Sequence, residues 1–157
     1  MVGHSRGEGS DRTVKPPSLD LAALRGAVTS LDEALSVIDD RAWMGSQPEK
    51  VRNTLAAGVV QNFEFVYELC VKMLRRRLTL DAATPPELAA LSFRDLVRLG
   101  GQAGLVDDVR AWFTYREMRN LTAHTYDRAK ARAMRDGAAA LARDAHSLLE
   151  RLDAANG

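Results

Sequence analysis

The sequence predicts an all-α domain, an antiparallel bundle of four to five helices. Apolar residues recur at three- and four-residue spacing through most of the chain, no alternating strand pattern appears, and the gaps between periodic segments carry Pro, Gly and capping residues. With 157 residues, the chain is about one domain long and can bury a core without disulfides or metals.

Residues 1–17 are rich in Gly, Ser, Pro and charge, with almost nothing apolar to offset the entropy of ordering them, so they read as a disordered tail ahead of a bundle spanning 18–155. From Ser18, read as an N-cap, Leu21, Leu24, Val28, Leu31, Leu35 and Ile38 trace one face of a first helix. Ser46-Gln47-Pro48-Glu49 has capping-box spacing. After it, Val51, Leu55, Val59, Phe63, Val66, Cys70, Leu74 and Leu78 keep one stripe along a long second helix with a kink expected near Gly58. Thr84-Pro85-Pro86 breaks the pattern, and Ser92 with Asp95 opens a shorter third helix that runs out across Gly100, Gly101 and Gly104. Asp107-Asp108 favours the start of a fourth helix, carrying Val109, Trp112, Phe113 and Met118 toward Arg119. A fifth is expected after Asp127, with Ala138, Leu141, Ala145, Leu148 and Leu152 as its stripe and Gly137 as its one weak helix former.

Lys and Arg number 22 against 21 Asp and Glu, which excludes the general basic field of a nucleic-acid coat protein, so any nucleic-acid contact must be local. The N-terminal residues lack the apolar core of a signal peptide, and no run of about 18 apolar residues suggests a membrane span. A single cysteine, Cys70, lies in an apolar stripe and reads as a small buried hydrophobe in a reducing compartment. A soluble cytoplasmic protein without membrane contact is the expectation. The basic run Lys72, Arg75, Arg76, Arg77 reads as a solvated helix face, able to guide RNA if it shares a side with His124.

His4 falls in the tail and His146 among charged and small residues with no obvious partner, whereas His124 stands in the segment Arg119-Asn120-Leu121-Thr122-Ala123-His124-Thr125-Tyr126. Arginine offers a planar fork of donors to a phosphodiester, and a histidine with an ordinary pKa near ~6.5 exchanges protons at cellular pH. Together they suffice for RNA cleavage without metal or cofactor. The ribose 2'-OH attacks its own phosphate, a base removes the hydroxyl proton, and cations stabilise the charge gathering on the phosphoryl oxygens. DNA lacks that hydroxyl and is spared.

Asn120 and His124 are four apart and share a helical face, whereas Arg119 and His124 are five apart and diverge by roughly 140° in an ideal helix. Either the helix ends before His124, or a two-fold dimer brings the Arg of one chain to the His of the other, which is the preferred arrangement. On residue types alone a second reading stays open. Arg-Asn near a helix end often caps or forms salt bridges, and a histidine beside a tyrosine is often a satisfied structural pair.

Arg119, four residues, His124, one residue and Tyr126 match the Arg-x4-His-x-Tyr motif of HEPN proteins of the HepT kind. Together with Asn62-Phe63-Glu64-Phe65-Val66-Tyr67-Glu68-Leu69 and Trp112, the segment through Asp127 resembles the nucleotidyltransferase substrate-binding proteins, over about residues 18–155. The resemblance implies a helical bundle, a homodimer, and a minimal nucleotidyltransferase partner that acts as antitoxin to this chain as toxin. It also implies Arg119 and His124 as ribonuclease residues, Asn120 in a supporting role, and Tyr126 as a tyrosine to which the partner can attach AMP. An anionic adduct there would occupy the RNA phosphate site. Phe63 and Trp112 read as core aromatics, while Glu64, Tyr67 and Glu68 are expected to line the site. The alternative reading is a non-catalytic subunit that holds a nucleotide or other substrate for the transferase, and a third is a helical scaffold for that partner.

Overall fold

A computed structural model of the chain describes residues 18–121 and 128–157, with side chains up to 121 and from 132 onward. The tail expected at 1–17 therefore lies outside the described residues. Seven helices and no strand are present among the described residues: α1 (Ala22–Asp39), α2 (Arg41–Gly45), α3 (Glu49–Asp81), α4 (Pro85–Ala89), α5 (Phe93–Gln102), α6 (Val109–Leu121) and α7 (Arg128–Ala155). The five long ones are those expected from periodicity. The two extra helices have five residues each, too short for a repeating apolar stripe to announce them.

Helices α1, α3 and α7 pack mutually, α6 lies against α3 and α7, and α5 lies against α6 and α3. The core is where their stripes meet: Leu24, Leu31, Phe63, Val66, Leu141, Leu148 and Leu152 are fully enclosed. Burial of that kind contributes about 1.5–3 kcal/mol per large apolar side chain. Along the seam between α1 and α7, Arg25 meets Asp153 at 2.8 Å, Asp32 meets His146 at 2.6 Å, and Asp39 meets Arg135 at 2.6 Å. Ascending numbers on α1 face descending numbers on α7, so the two run antiparallel. His146, without an obvious partner in the sequence, is thus tied to Asp32.

The caps depart from expectation in two places. Helix α1 begins beyond Ser18, with Leu21 at the N-cap position and Asp20 accepting from the Ala22 amide at 3.0 Å. Ser46 does not cap α3. Its hydroxyl donates back to Trp43 O at 2.6 Å and closes α2, while Pro48 occupies the N-cap of α3 without a side-chain cap. Proline is suited to that place because its ring fixes φ and removes a donor that the first turn would leave unpaired. Two consecutive prolines likewise start α4 rather than only breaking the chain. Elsewhere the capping chemistry is as read: Ser92 Oγ accepts from the Asp95 amide at 3.2 Å, and Asp108 Oδ1 accepts from the Ala111 amide at 3.1 Å. α5 runs through Gly100 and Gly101 and is followed by Gly104 at φ 76°, a left-handed turn residue.

Asn156 ties the two ends of the bundle together. Its side chain accepts from the Leu19 amide at 2.9 Å and donates to Leu19 O at 3.0 Å. Arg77, read from sequence as part of a solvated basic face, is instead buried at 4% exposure and is held by Asp81 at 2.6 Å and by Asn156 at 3.4 Å. Arg75 also turns to structural work, donating to Leu88 O and Leu91 O at 3.0 Å each and satisfying carbonyls in the last turn of α4 and just after it.

Candidate functional site

The site is set by how two helices meet. Arg119 lies in the last turn of α6, a position where a cation is favoured by the unpaired carbonyls of a helix C-terminus. Its guanidinium crosses to α3 and donates from Nη2 to Glu68 Oε1 at 2.5 Å. Residues 51 apart in sequence are joined by this contact, and it brings together two residues expected to belong to one site. The ion pair holds the Arg119 proton more firmly, with the Glu68 hydrogen bond as the largest cause. Both partners are about half exposed, so the pair orders the side chains more than it stabilises the fold.

Tyr67 precedes Glu68 on α3 and is buried. Burial raises its pKa, with Arg116 and Arg119 acting in the opposite direction, so its phenol stays protonated at neutral pH and offers a donor. Glu64 is half-buried one turn earlier on the same helix, and Asn120 is exposed beside Arg119. One residue further along a helix turns the side-chain direction by about 100°, so Asn120 does not share Arg119's approach to α3.

Beside this pair opens a groove of about 810 Å³ whose lining includes Tyr67, Glu68, Lys72, Arg75, Arg76 and Arg119. Four cations thus share one cavity with a single carboxylate, Glu68, and the apolar patches between them come from Leu19, Val71 and Leu80. Lys72, Arg75, Arg76 and Arg119 therefore face one space, and Arg77 does not. Such a groove is matched to a phosphodiester: positive potential concentrated between low-dielectric walls, in a chain whose overall charge is only +1.

His124 and Tyr126 lie outside the described residues, as do the rest of 122–127. Phe63 and Trp112 are core residues, 0% and 4% exposed, stacked edge-on against Tyr115 at 6.5 and 5.3 Å between ring centroids. Tyr115 itself was not singled out in the sequence. Its hydroxyl donates to Asp144 on α7, and burial first, then that bond, raises its pKa. The signal available was its spacing, three residues after Trp112, on the core-facing side of α6.

A family model described as "Nucleotidyltransferase substrate binding protein like" matches residues 19–154. The chain belongs to this family. Within it the chain is HepT-like: it is 45% identical over 116 residues to a protein of Haemophilus influenzae named "Probable ribonuclease HepT", covering 74% of this chain and 80% of that one. A solved structure from Haemophilus influenzae, described as revealing the fold of a substrate binding domain of a nucleotidyltransferase, superposes with a TM-score of 0.81 at 41% identity. That match covers 85% of this chain and 99% of the other. For this family member, no described helix is long and apolar enough to cross a membrane.

Proposed function

We propose that this chain is a HEPN-type toxin, a metal-independent endoribonuclease working as a homodimer with Arg119 and His124 as its catalytic residues. The observation that carries this reading is the position of Arg119: it lines a basic groove with Glu68 and Tyr67, five residues ahead of His124. Arg119 binds the scissile phosphate and neutralises charge developing on its oxygens. His124 removes the proton from the 2'-OH or returns one to the 5'-oxygen leaving group, so the products are a 2',3'-cyclic phosphate and a free 5'-hydroxyl. Asn120 orients the histidine or contacts the phosphate. A relative named as a probable ribonuclease, similar over most of both chains, supports the assignment. Control comes from a nucleotidyltransferase antitoxin that attaches AMP to Tyr126, placing an anionic group where the RNA phosphate would sit.

The test is RNA cleavage by partner-free protein in the presence of a chelator. Wild type is expected to cut and His124→Ala to lose at least ~100-fold of that activity, the usual contribution of a general acid or base. Equal persistence of RNA with both proteins removes the catalytic assignment.

The family description and the substrate-binding description of the solved relative favour a second reading, in which the same groove holds a nucleotide for the transferase without cutting anything. Calorimetry separates the two: nucleotide binding abolished by Arg119→Ala, with no ribonuclease activity in wild type, supports the second.

A further inference from the structure

Against Tyr67, which also lines the basic groove, three arginines lie over two aromatic rings. Arg94 and Arg98 on α5 stand 4.7 and 5.8 Å from the centroid of Phe113, and Arg116 on α6 stands 4.8 Å from that of Phe93. Phe93 and Phe113 meet each other at 6.2 Å, and Phe93 meets Tyr67 at 6.1 Å. All three arginines are exposed, while the two phenylalanines are half-buried. Of the three, only Arg98 has a carboxylate within reach among the described residues, Asp95 at a loose 3.7 Å.

A guanidinium stacked on a ring uses its flat face and leaves its N–H edge free to donate. The guanidinium groups lie over the rings, and among the described residues no carboxylate stands within hydrogen-bond distance of their donors. That is the condition of a preorganised phosphate-binding surface rather than of a surface ion-pair network. Its placement gives it meaning. Arg116 and Arg119 are three residues apart on α6 and so are neighbours on one helix face. Through Arg119 the band continues to Lys72 and Arg76, one turn and about 6 Å apart along α3.

We propose that single-stranded RNA lies across this whole band, with the Arg94–Phe113 and Arg116–Phe93 pairs holding the strand on one side of Arg119 and Lys72 and Arg76 holding it on the other. The proposal rests on the ribonuclease reading and extends it to the path of the substrate. A band of cations with aromatic faces among them, next to the residue that takes the scissile phosphate, fits a strand with one charge per nucleotide and a stackable base on each. An acidic patch on a protein would need the cations but not the aromatic faces. RNA duplex fits less well, because its bases are not available to stack on the arginine and phenylalanine faces.

The experiment measures binding apart from cleavage, using full-length protein and a fluorescent 2'-O-methyl RNA oligonucleotide, which has no hydroxyl to attack. Arg94→Gln/Arg116→Gln and, separately, Lys72→Gln/Arg76→Gln are titrated from low to moderate salt, with circular dichroism and the thermal midpoint as folding controls. Each pair is expected to weaken binding roughly ten-fold and to flatten the salt slope by about 1.4, the change for two lost single-strand phosphate contacts. Arg94→Lys/Arg116→Lys is expected to restore the slope but not the full affinity, because charge returns and the planar stack does not. Unchanged affinity and slope in the Arg94→Gln/Arg116→Gln variant overturns the proposal, as does a wild type that binds no RNA. A variant that binds RNA normally but loses a nucleotidyltransferase partner also overturns it and makes the platform a protein-docking surface. If binding follows the band while ordinary RNA is never cut, the path stands and the ribonuclease reading falls.

Discussion

Gly137 sits in the middle of α7, and there a Cβ would fall well inside van der Waals contact with Sδ and Cε of Met118 on α6. The glycine lets α6 lie close to α7 at the turn that carries Arg119. Gly137→Ala therefore has two opposed effects. Replacing glycine in a helix interior stabilises by about 1 kcal/mol, and overpacking costs about 1–3 kcal/mol. Met118 is only partly buried and the clashing atoms end a flexible chain, so the cost falls toward the lower part of that range. In the wild-type background the substitution is expected to be neutral or to destabilise by up to about 1 kcal/mol, which is a drop of roughly 2–4 °C in thermal midpoint for a chain of this size. In a Met118→Ala background the clash is gone and the same substitution is expected to stabilise by about 1 kcal/mol. Urea unfolding of the four proteins gives a coupling energy of about 1–2 kcal/mol. Additivity within about 0.3 kcal/mol refutes the close approach of α6 and α7.

Arg77→Ala is expected to destabilise by about 1–3 kcal/mol in urea unfolding, less than a fully enclosed pair would lose because Asp81 is 57% exposed and can return to water. Arg76→Ala, one residue earlier and exposed, is expected to change stability by no more than about 0.5 kcal/mol. Alkaline pH supplies another test, since burial raises the pKa of Cys70, Tyr67 and Tyr115 in the folded state. Their stabilising effect is complete below the unfolded values of 9.0 for the thiol and 10.0 for the phenols. Above these pH values the unfolded chain releases protons that the folded chain keeps, so stability falls as pH rises, by up to about 1.4 kcal/mol per pH unit for each group. Tyr115→Phe should shallow that decline while lowering stability at pH 8 by about 1–3 kcal/mol through loss of the bond to Asp144; an unchanged slope counts against the burial of that phenol.

The long helices were legible because burial writes itself into three-four spacing: every residue named on the α1 stripe from Leu21 to Leu35 is buried. What was hidden was how charged residues divide around a helix. Lys72, Arg75, Arg76 and Arg77 look like one face in the sequence, but at about 100° per residue four residues within six positions spread around much of the helix. Arg77 falls on the core side and Arg75 turns toward the carbonyls after α4. Ser46 misled for a related reason, since a capping box and a helix C-cap both place a serine at a helix end, and only the five-residue α2 in front of it decides between them. The pairing of Glu68 with Arg119 had no local signal. Arg119 was read from its chemistry and Glu68 by resemblance, and their contact follows from the packing of α6 on α3.

Helix α3 connects these points, because its two faces serve different ends. Phe63, Val66, Cys70, Met73 and Leu74 hold one face in the core, and Glu64, Glu68, Lys72 and Arg76 form a row at four-residue spacing outside it. Tyr67 lies at the seam, buried by the first set and facing the groove of the second. The core register of α3 thus fixes where Glu68 and Lys72 stand relative to Arg119, and a rotation of α3 that spoiled the row would also expose Phe63 and Val66. Loss of the large side chains that hold this register costs several kcal/mol. Under the ribonuclease reading, the phosphate-binding cations are then set by folding itself. On the same reading, the residues a partner would act on are His124 and Tyr126, which follow Arg119 in the sequence.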